Sequence, residues 1–171
     1  WAPASKGYLS RKEGELDLEI KWHQPISLID GSAEDLIFAL PDMNDWMEVP
    51  GVYIFGRLYG GVLTPLYIGR TKNIGKRMKQ HLNTTKLMKG IEKSSNGEKI
   101  LIIGEFIPKQ GQYTESALQI IERALIEHAL TEGYELLNKA GTKTPVHSVS
   151  FRGYSAAKAF SGSCMYTQNK R

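Results

Sequence analysis

The chain has 171 residues, 41% of them hydrophobic and 23% charged, an ordinary globular balance that excludes wholesale disorder and fibrous repeats. Its longest apolar runs, such as Ile100-Leu101-Ile102-Ile103, fall far short of the roughly 20 residues that a membrane-spanning helix needs, so no membrane partner is expected. The net charge of +4 is unevenly spread: residues 1–50 carry 10 acidic and 4 basic side chains, residues 51–104 carry 2 and 10, and residues 139–171 carry 6 basic and no acidic ones.

The chain begins at Trp1 rather than Met, and no basic-then-apolar leader follows. It is expected to be a fragment or a processed product. Residues 1–14 read as a mobile lead-in. Leu16, Leu18 and Ile20 alternate with Glu15, Asp17 and Glu19, the period of a half-buried strand. Ser32 and Asp35 have capping-box spacing, so Asp35 to Leu40 is expected to be a short helix ended by Pro41. Pro50-Gly51 marks a boundary. Beyond it, Val52 to Phe55 reads as a strand, Gly60-Gly61 as a hairpin turn, and Val62 to Ile68 as the return strand. Asn73 is a good N-cap for a helix through about Leu82. Lys99 to Ile107 is a further β-rich run, and Thr114 caps a long helix that Gly133 ends. Val146, Ser148 and Phe151 fit another strand. The order hairpin, helix, strand, helix is an α+β core, expected over residues 51–138, with an acidic N-terminal extension (1–50) and a basic C-terminal one (139–171).

One cysteine, Cys164, cannot form an internal disulfide or anchor a cysteine zinc site or an iron–sulfur cluster. A reducing, cytoplasmic compartment is therefore expected. No nucleophile elbow, P-loop or zinc-protease motif is present. Gly51-Val52-Tyr53 is separated by thirteen residues from Tyr67-Ile68-Gly69, and Arg77, His81, Glu122 and Asn138 follow in that order. This series resembles the GIY-YIG nuclease signature over residues 51–138. The resemblance implies a phosphodiester-cleaving endonuclease, with DNA the expected substrate. It implies catalytic roles for Tyr53, Tyr67, Arg77, His81, Glu122 and Asn138, with Glu122 the metal ligand. Tyr53 is implied as the base or water-orienting group, and Tyr67 as a hydrogen-bonding partner of phosphate or water.

The residue types make chemical sense by themselves. On the helix after Asn73, Ile74, Met78 and Leu82 form an apolar stripe, with Arg77 and His81 one turn apart beside it. Arginine presents a planar, permanently charged fork that matches phosphate oxygens. On the long helix, Leu118, Ile121, Leu125 and Ala129 form the stripe, and Glu122 falls inside the apolar arc while Glu127 falls near Arg123. A carboxylate there needs a cation or a buried ion-pair partner. A single carboxylate suits Mg²⁺ or Mn²⁺, which keep most of their waters. His128 is expected in the core.

Two basic blocks point to a polyanionic partner, nucleic acid before membrane, against the plainer alternative of lysines on solvated helix faces. Arg70, Lys72, Lys76, Lys143, Arg152 and Lys158 are the expected nucleic-acid contacts. The tail alternatively packs against the acidic N-terminal segment. A binding module that retains the fold without cleavage is the second functional class. A dimer would suit double-strand cleavage, although no dimer signature is present.

Overall fold

The structure, a computed structural model, describes residues 17–138, 146–150 and 164–168. Strand β1 (Glu19–Trp22) and the two-residue β2 (Ile26–Ser27) are followed by β3 (Ile29–Asp30) and β4 (Phe38–Ala39). The hairpin β5 (Gly51–Tyr59) and β6 (Val62–Thr71) leads into helices α1 (Ile74–Leu82) and α2 (Thr85–Glu92). Strand β7 (Glu98–Ile107) and the long helix α3 (Thr114–Thr131) complete the core, with β8 (Val146–Ser150) and β9 (Cys164–Gln168) forming a separate antiparallel pair. The fold is α+β, as the element order predicts. The central antiparallel sheet has the order β1-β7-β5-β6, and β2 also pairs with β7. Part of the acidic segment is thus a sheet strand, with Ile20 opposite Phe106. Residues 1–16, Lys143, Arg152, Lys158 and the expected strand end at Phe151 lie outside the described residues.

Both faces of β5 are covered, so its buried residues run without a break from Gly51 to Gly56. Tyr53 and Phe55 pack with Ile74, Met78, Met88, Ile91, Leu101 and Ile103 on the α1–α2 side. Val52 and Ile54 face α3, packing with Leu118 and Ile126 respectively. Tyr59 and Val62 pair across Gly60 and Gly61, whose φ values are +56° and +78°. Such φ values suit glycine and match the twist of a two-residue hairpin. Tyr53 pairs with Gly69. A two-residue turn leaves an even number of residues between paired positions, whereas residues 54–68 are odd in number. The register accordingly shifts between Phe55 and Gly56, where Tyr67 and Pro65 are their partners. Leu66 is the additional residue, a bulge that lets the neighbours Leu66 and Tyr67 both join the α1–α2 core.

At the end of β6, Thr71 Oγ1 accepts from Asn73 N (3.1 Å), and Asn73 Oδ1 accepts from Lys76 N (2.8 Å). This corner sets the start of α1 as the N-cap reading predicts. Gly133, with φ +83°, ends α3: Tyr134 N–H donates to Ala129 O and Gly133 N–H to Leu130 O, the paired bonds of a Schellman cap.

Three local expectations change, and one helix is additional to them. Asp35 to Leu40 is not helical. Asp30 accepts hydrogen bonds from both the amide and hydroxyl of Ser32, a single 3₁₀ turn spans Ser32–Glu34, and Asp35 sits at φ +56°. That left-handed residue stops the turn, and Phe38 and Ala39 pair with β3 instead. Helix α2 was not legible because it is only eight residues long and Gly90 interrupts it; Leu87, Met88 and Ile91 bury its apolar side, and Gly90 lies under Leu137. Thr114 is the first helical residue rather than the cap, since Tyr113 holds the N-cap position without a side-chain bond. His128 is exposed, because only Leu125, Ile126, Ala129 and Leu130 on that turn reach the sheet.

Candidate active site

The strand register decides which side chains share a face. Tyr53 and Gly69 are direct partners on β5 and β6, as are Phe55 and Tyr67. All four lie on the α1 side. Gly69 has no side chain, and the Tyr53 ring occupies that space: a Cβ on Gly69 would come within 2.4 Å of the Tyr53 hydroxyl oxygen. The glycine of the Tyr-Ile-Gly segment therefore seats the tyrosine of the Gly-Val-Tyr segment. Tyr53 and Tyr67 stack with ring centroids 6.2 Å apart and planes 16° apart.

Helix α1 delivers the next two groups. Met78 and Ile74 bury its stripe, which turns His81 inward to 5% exposure and leaves Arg77 half-buried. The His81 ring contacts Tyr53, Phe55 and Tyr67. Tyr53 Oη lies 2.7 Å from His81 Nε2, and Arg77 Nε donates to the same oxygen over 3.2 Å. Arginine can only donate. Tyr53 thus accepts from Arg77, and with the imidazole proton on Nδ1 it donates its own proton to His81 Nε2. Arg77 Nη1 also donates to Gln80 Oε1 (3.2 Å).

Electrostatics agree with this pattern. Burial, reinforced by the charge on Arg77, pushes His81 down to about 4, so the imidazole is neutral at pH 7 and can accept a proton. Burial raises the Tyr53 hydroxyl well above the ordinary phenol range, and the Arg77 hydrogen bond only partly opposes it. Tyr53 is thus a protonated phenol at neutral pH, suited to relaying a proton rather than holding a negative charge.

Glu122 approaches from the other side of β6. Its partner is Arg70, which sits opposite Val52 and therefore faces α3. Arg70 Nε donates to Glu122 Oε2 over 3.0 Å. A second guanidinium nitrogen of Arg70 bonds Glu115, which is also paired with Lys72 Nζ at 3.2 Å. Burial lifts the Glu122 carboxyl above its ordinary range despite the opposing charges of Arg70 and Arg77. Glu122 also contributes to raising Tyr53. The two clusters consequently lie within electrostatic reach of each other at the end of β6.

Asn138 is not among the ionisable groups. Its side chain accepts from Ile68 N (3.2 Å) and donates to Ile68 O (2.5 Å), while Leu137 N donates to Leu66 O (2.7 Å). The segment after α3 hydrogen-bonds the outer edge of β6 at Leu66 and Ile68 and so fixes the backbone between Tyr67 and Gly69.

A family model for the GIY-YIG catalytic domain matches residues 49–135, just over half of the chain. The chain belongs to the GIY-YIG family. No curated protein and no solved structure matches it significantly. The family is one of nucleases. Tyr53, Tyr67, Arg77 and His81 form one connected group, Glu122 stands beside it with Arg70, and Asn138 holds the strand.

The expected nucleic-acid residues divide. Lys72 is engaged by Glu115, and Arg70 by Glu115 and Glu122. Lys76 is exposed on α1 and, among the described residues, forms no ion pair. Sequence reasoning missed Glu115 and Gln80. The signal for Glu115 was its seven-residue spacing from Glu122, two turns along one helix face. No group of three or more His, Cys, Asp or Glu side chains gathers among the described residues. The chemistry of Glu122 nevertheless fits a hard divalent cation. Its side chain is half-buried, with Oε2 held by Arg70 Nε. Mg²⁺ and Mn²⁺ are commonly held by one or two carboxylates together with waters and substrate phosphate. No helix among the described residues is long and apolar enough to cross a membrane.

Proposed function

We propose that the chain is a metal-dependent endonuclease hydrolysing phosphodiester bonds, with DNA as its substrate. The observation that carries this is the hydrogen-bonded series Arg77–Tyr53–His81, with Glu122 close enough to perturb it. Charge supports a nucleic-acid partner. Lys76, Lys79, Lys86, Lys89 and Lys93 are exposed on α1, α2 and the residue just after α2, and no ion pair among the described residues uses them. Lys143, Arg152 and Lys158 are further proposed contacts.

Glu122 would hold Mg²⁺ or Mn²⁺, which when bound neutralises charge on the phosphate and its leaving oxygen. Arg77 binds the non-bridging oxygens with its fork and stabilises the charge that grows there. In the free protein Arg77 covers Tyr53, whose exposure is 0%. A phosphate that draws the guanidinium away uncovers the phenol oxygen. Water bound at that oxygen is oriented for in-line attack, gives its proton to Tyr53, and Tyr53 passes its own to His81 Nε2. The same movement helps His81. Arg77 is one of the two causes of its low proton affinity, so neutralising that charge with phosphate makes the imidazole a stronger base. Tyr67 packs against Tyr53 and His81 and hydrogen-bonds phosphate or water. Asn138 acts through Ile68, keeping the tyrosine strand in register.

A plasmid nicking assay with Mg²⁺, with Mn²⁺ and with EDTA tests this. Metal-dependent nicking that EDTA abolishes and Glu122→Gln loses is the expected result. Binding without cleavage under all three conditions would instead make the chain a non-cleaving nucleic-acid-binding module.

A further inference from the structure

Glu122 already has a cation in this structure: Arg70. The arrangement is a chain of four charges, Glu122–Arg70–Glu115–Lys72. Arg70 Nε holds Glu122 Oε2, another nitrogen of the same guanidinium holds Glu115 Oε1, and Lys72 holds Glu115 Oε2. The placement has a simple origin. Arg70 projects from the edge strand toward α3, and Glu115 and Glu122 lie two turns apart on one face of that helix, so one guanidinium spans both. The two carboxylates differ. The Glu122 side chain is 25% exposed and that of Glu115 is 52% exposed. Removing a partner from a half-buried carboxylate is costly, whereas an exposed one tolerates it.

We infer that Arg70 is a positioning residue that stands in for the divalent cation on Glu122 in the metal-free protein and is received by Glu115 when Glu122 takes that cation. This deepens the proposed function, since it rests on Glu122 being the metal carboxylate. A guanidinium and a divalent cation cannot share one carboxylate without repulsion, so Arg70 must yield. Glu115 gives it an acceptor two turns away without exposing the positive charge to an unpaired site. Arg70 therefore keeps Glu122 paired and correctly oriented before metal arrives, and it sets the cation concentration at which the site fills. Lys72 holds the far oxygen of Glu115 and keeps that acceptor in place.

The two ends of the chain should act with opposite sign on cation affinity. The experiment is direct Mn²⁺ titration of the whole protein, followed by paramagnetic resonance of the free ion, in the absence of nucleic acid. Arg70→Gln should tighten Mn²⁺ binding by on the order of tenfold, because the competitor is gone. Glu115→Gln should weaken it several-fold, because Arg70 is driven back onto Glu122. The double variant Arg70→Gln/Glu115→Gln should bind like Arg70→Gln alone, since Glu115 acts only through Arg70. Unchanged or weaker binding by Arg70→Gln would overturn the inference, as would a Glu115→Gln effect that persists undiminished in the double variant, the mark of simple through-space charge. Should Arg70→Gln not fold, Glu115→Gln with Arg70→Lys decides, because a lysine cannot bridge both carboxylates and should largely uncouple Glu115 from the site. A Glu115→Gln effect undiminished in that background overturns the inference. Glu122→Gln separates the two levels. Loss of Mn²⁺ binding in that variant upholds Glu122 as the metal ligand whatever Arg70 does, whereas wild-type affinity would overturn that assignment and this inference with it.

Discussion

The two faces of the central sheet solve the burial of polar groups in opposite ways. On the α1 side, Tyr53, His81 and Arg77 are satisfied by hydrogen bonds, and the histidine is held neutral by burial. On the α3 side, Arg70, Glu122 and Glu115 remain charged and are satisfied by ion pairing. The buried Tyr53–His81 pair is neutral and so tolerates depth, while the charged Arg77 stays half-buried at its edge. A charged network stays near the rim, where water reduces the cost of each ion. The difference matches the proposed division of labour: proton movement at the buried Tyr53–His81 pair, phosphate binding at the half-buried Arg77, and cation binding on the α3 side. β6 is the element that joins them, with Tyr67 and Gly69 facing α1 and Arg70 facing α3.

The comparison can be broken first on the charged side. Glu122→Gln should reduce nicking by at least about 10³-fold while leaving the far-ultraviolet spectrum unchanged, since glutamine keeps an acceptor for Arg70 but loses the charge a cation needs. An active Glu122→Gln would remove the metal role from this face. Next comes the residue that borders both. Arg77→Lys should lower kcat by on the order of 10²-fold, because lysine keeps the charge and loses the fork that reaches both Tyr53 and phosphate. Near-normal kcat with only a raised KM would make Arg77 a phosphate anchor instead.

On the α1 side, stability should report the burial of His81. Its proton affinity is lowered in the folded protein, to about 4 from an ordinary 6.5. Between those values the unfolded chain binds the proton and the folded one does not, so stability should rise as pH increases from about 4 to 6.5 and then level off. Chemical denaturation at several pH values checks this, with His81→Gln expected to flatten the rise. An equally steep rise in His81→Gln would assign it to other groups. The smallest effect belongs to a carboxylate on the same helix as Glu122. Glu127 pairs with Arg123 at 2.9 Å on the exposed surface of α3, so Glu127→Ala should shift stability by no more than about 0.5 kcal/mol and leave cleavage unchanged. A dead Glu127→Ala would show that the apolar arc of α3 does not distinguish its two glutamates.

Much of the active-site face was legible in the chain. The glycine pair fixed the hairpin because only glycine adopts two positive φ angles in succession without strain. Asn73 fixed the start of α1, and the spacing of Ile74, Met78 and Leu82 then turned Arg77 and His81 toward the sheet. The oddity of Glu122 was visible as a charge inside an apolar stripe. These are local properties, determined by backbone sterics and helical periodicity within a few residues. Distance in sequence hid the rest. That Gly69 exists to seat Tyr53 depends on strand register across a bulged hairpin. That Arg70 faces Glu122 rather than solvent depends on which side of β6 it occupies and on α3 crossing there, 45 to 52 residues further along the chain. That Asn138 binds the backbone of Ile68 depends on the chain returning to an unpaired edge 70 residues later. The sequence by itself determined the hairpin, α1, β7 and α3 and the chemical types of the candidate site. Only the tertiary structure decided which charges are paired and which are left for a ligand, because pairing is set by non-local packing that no local pattern encodes.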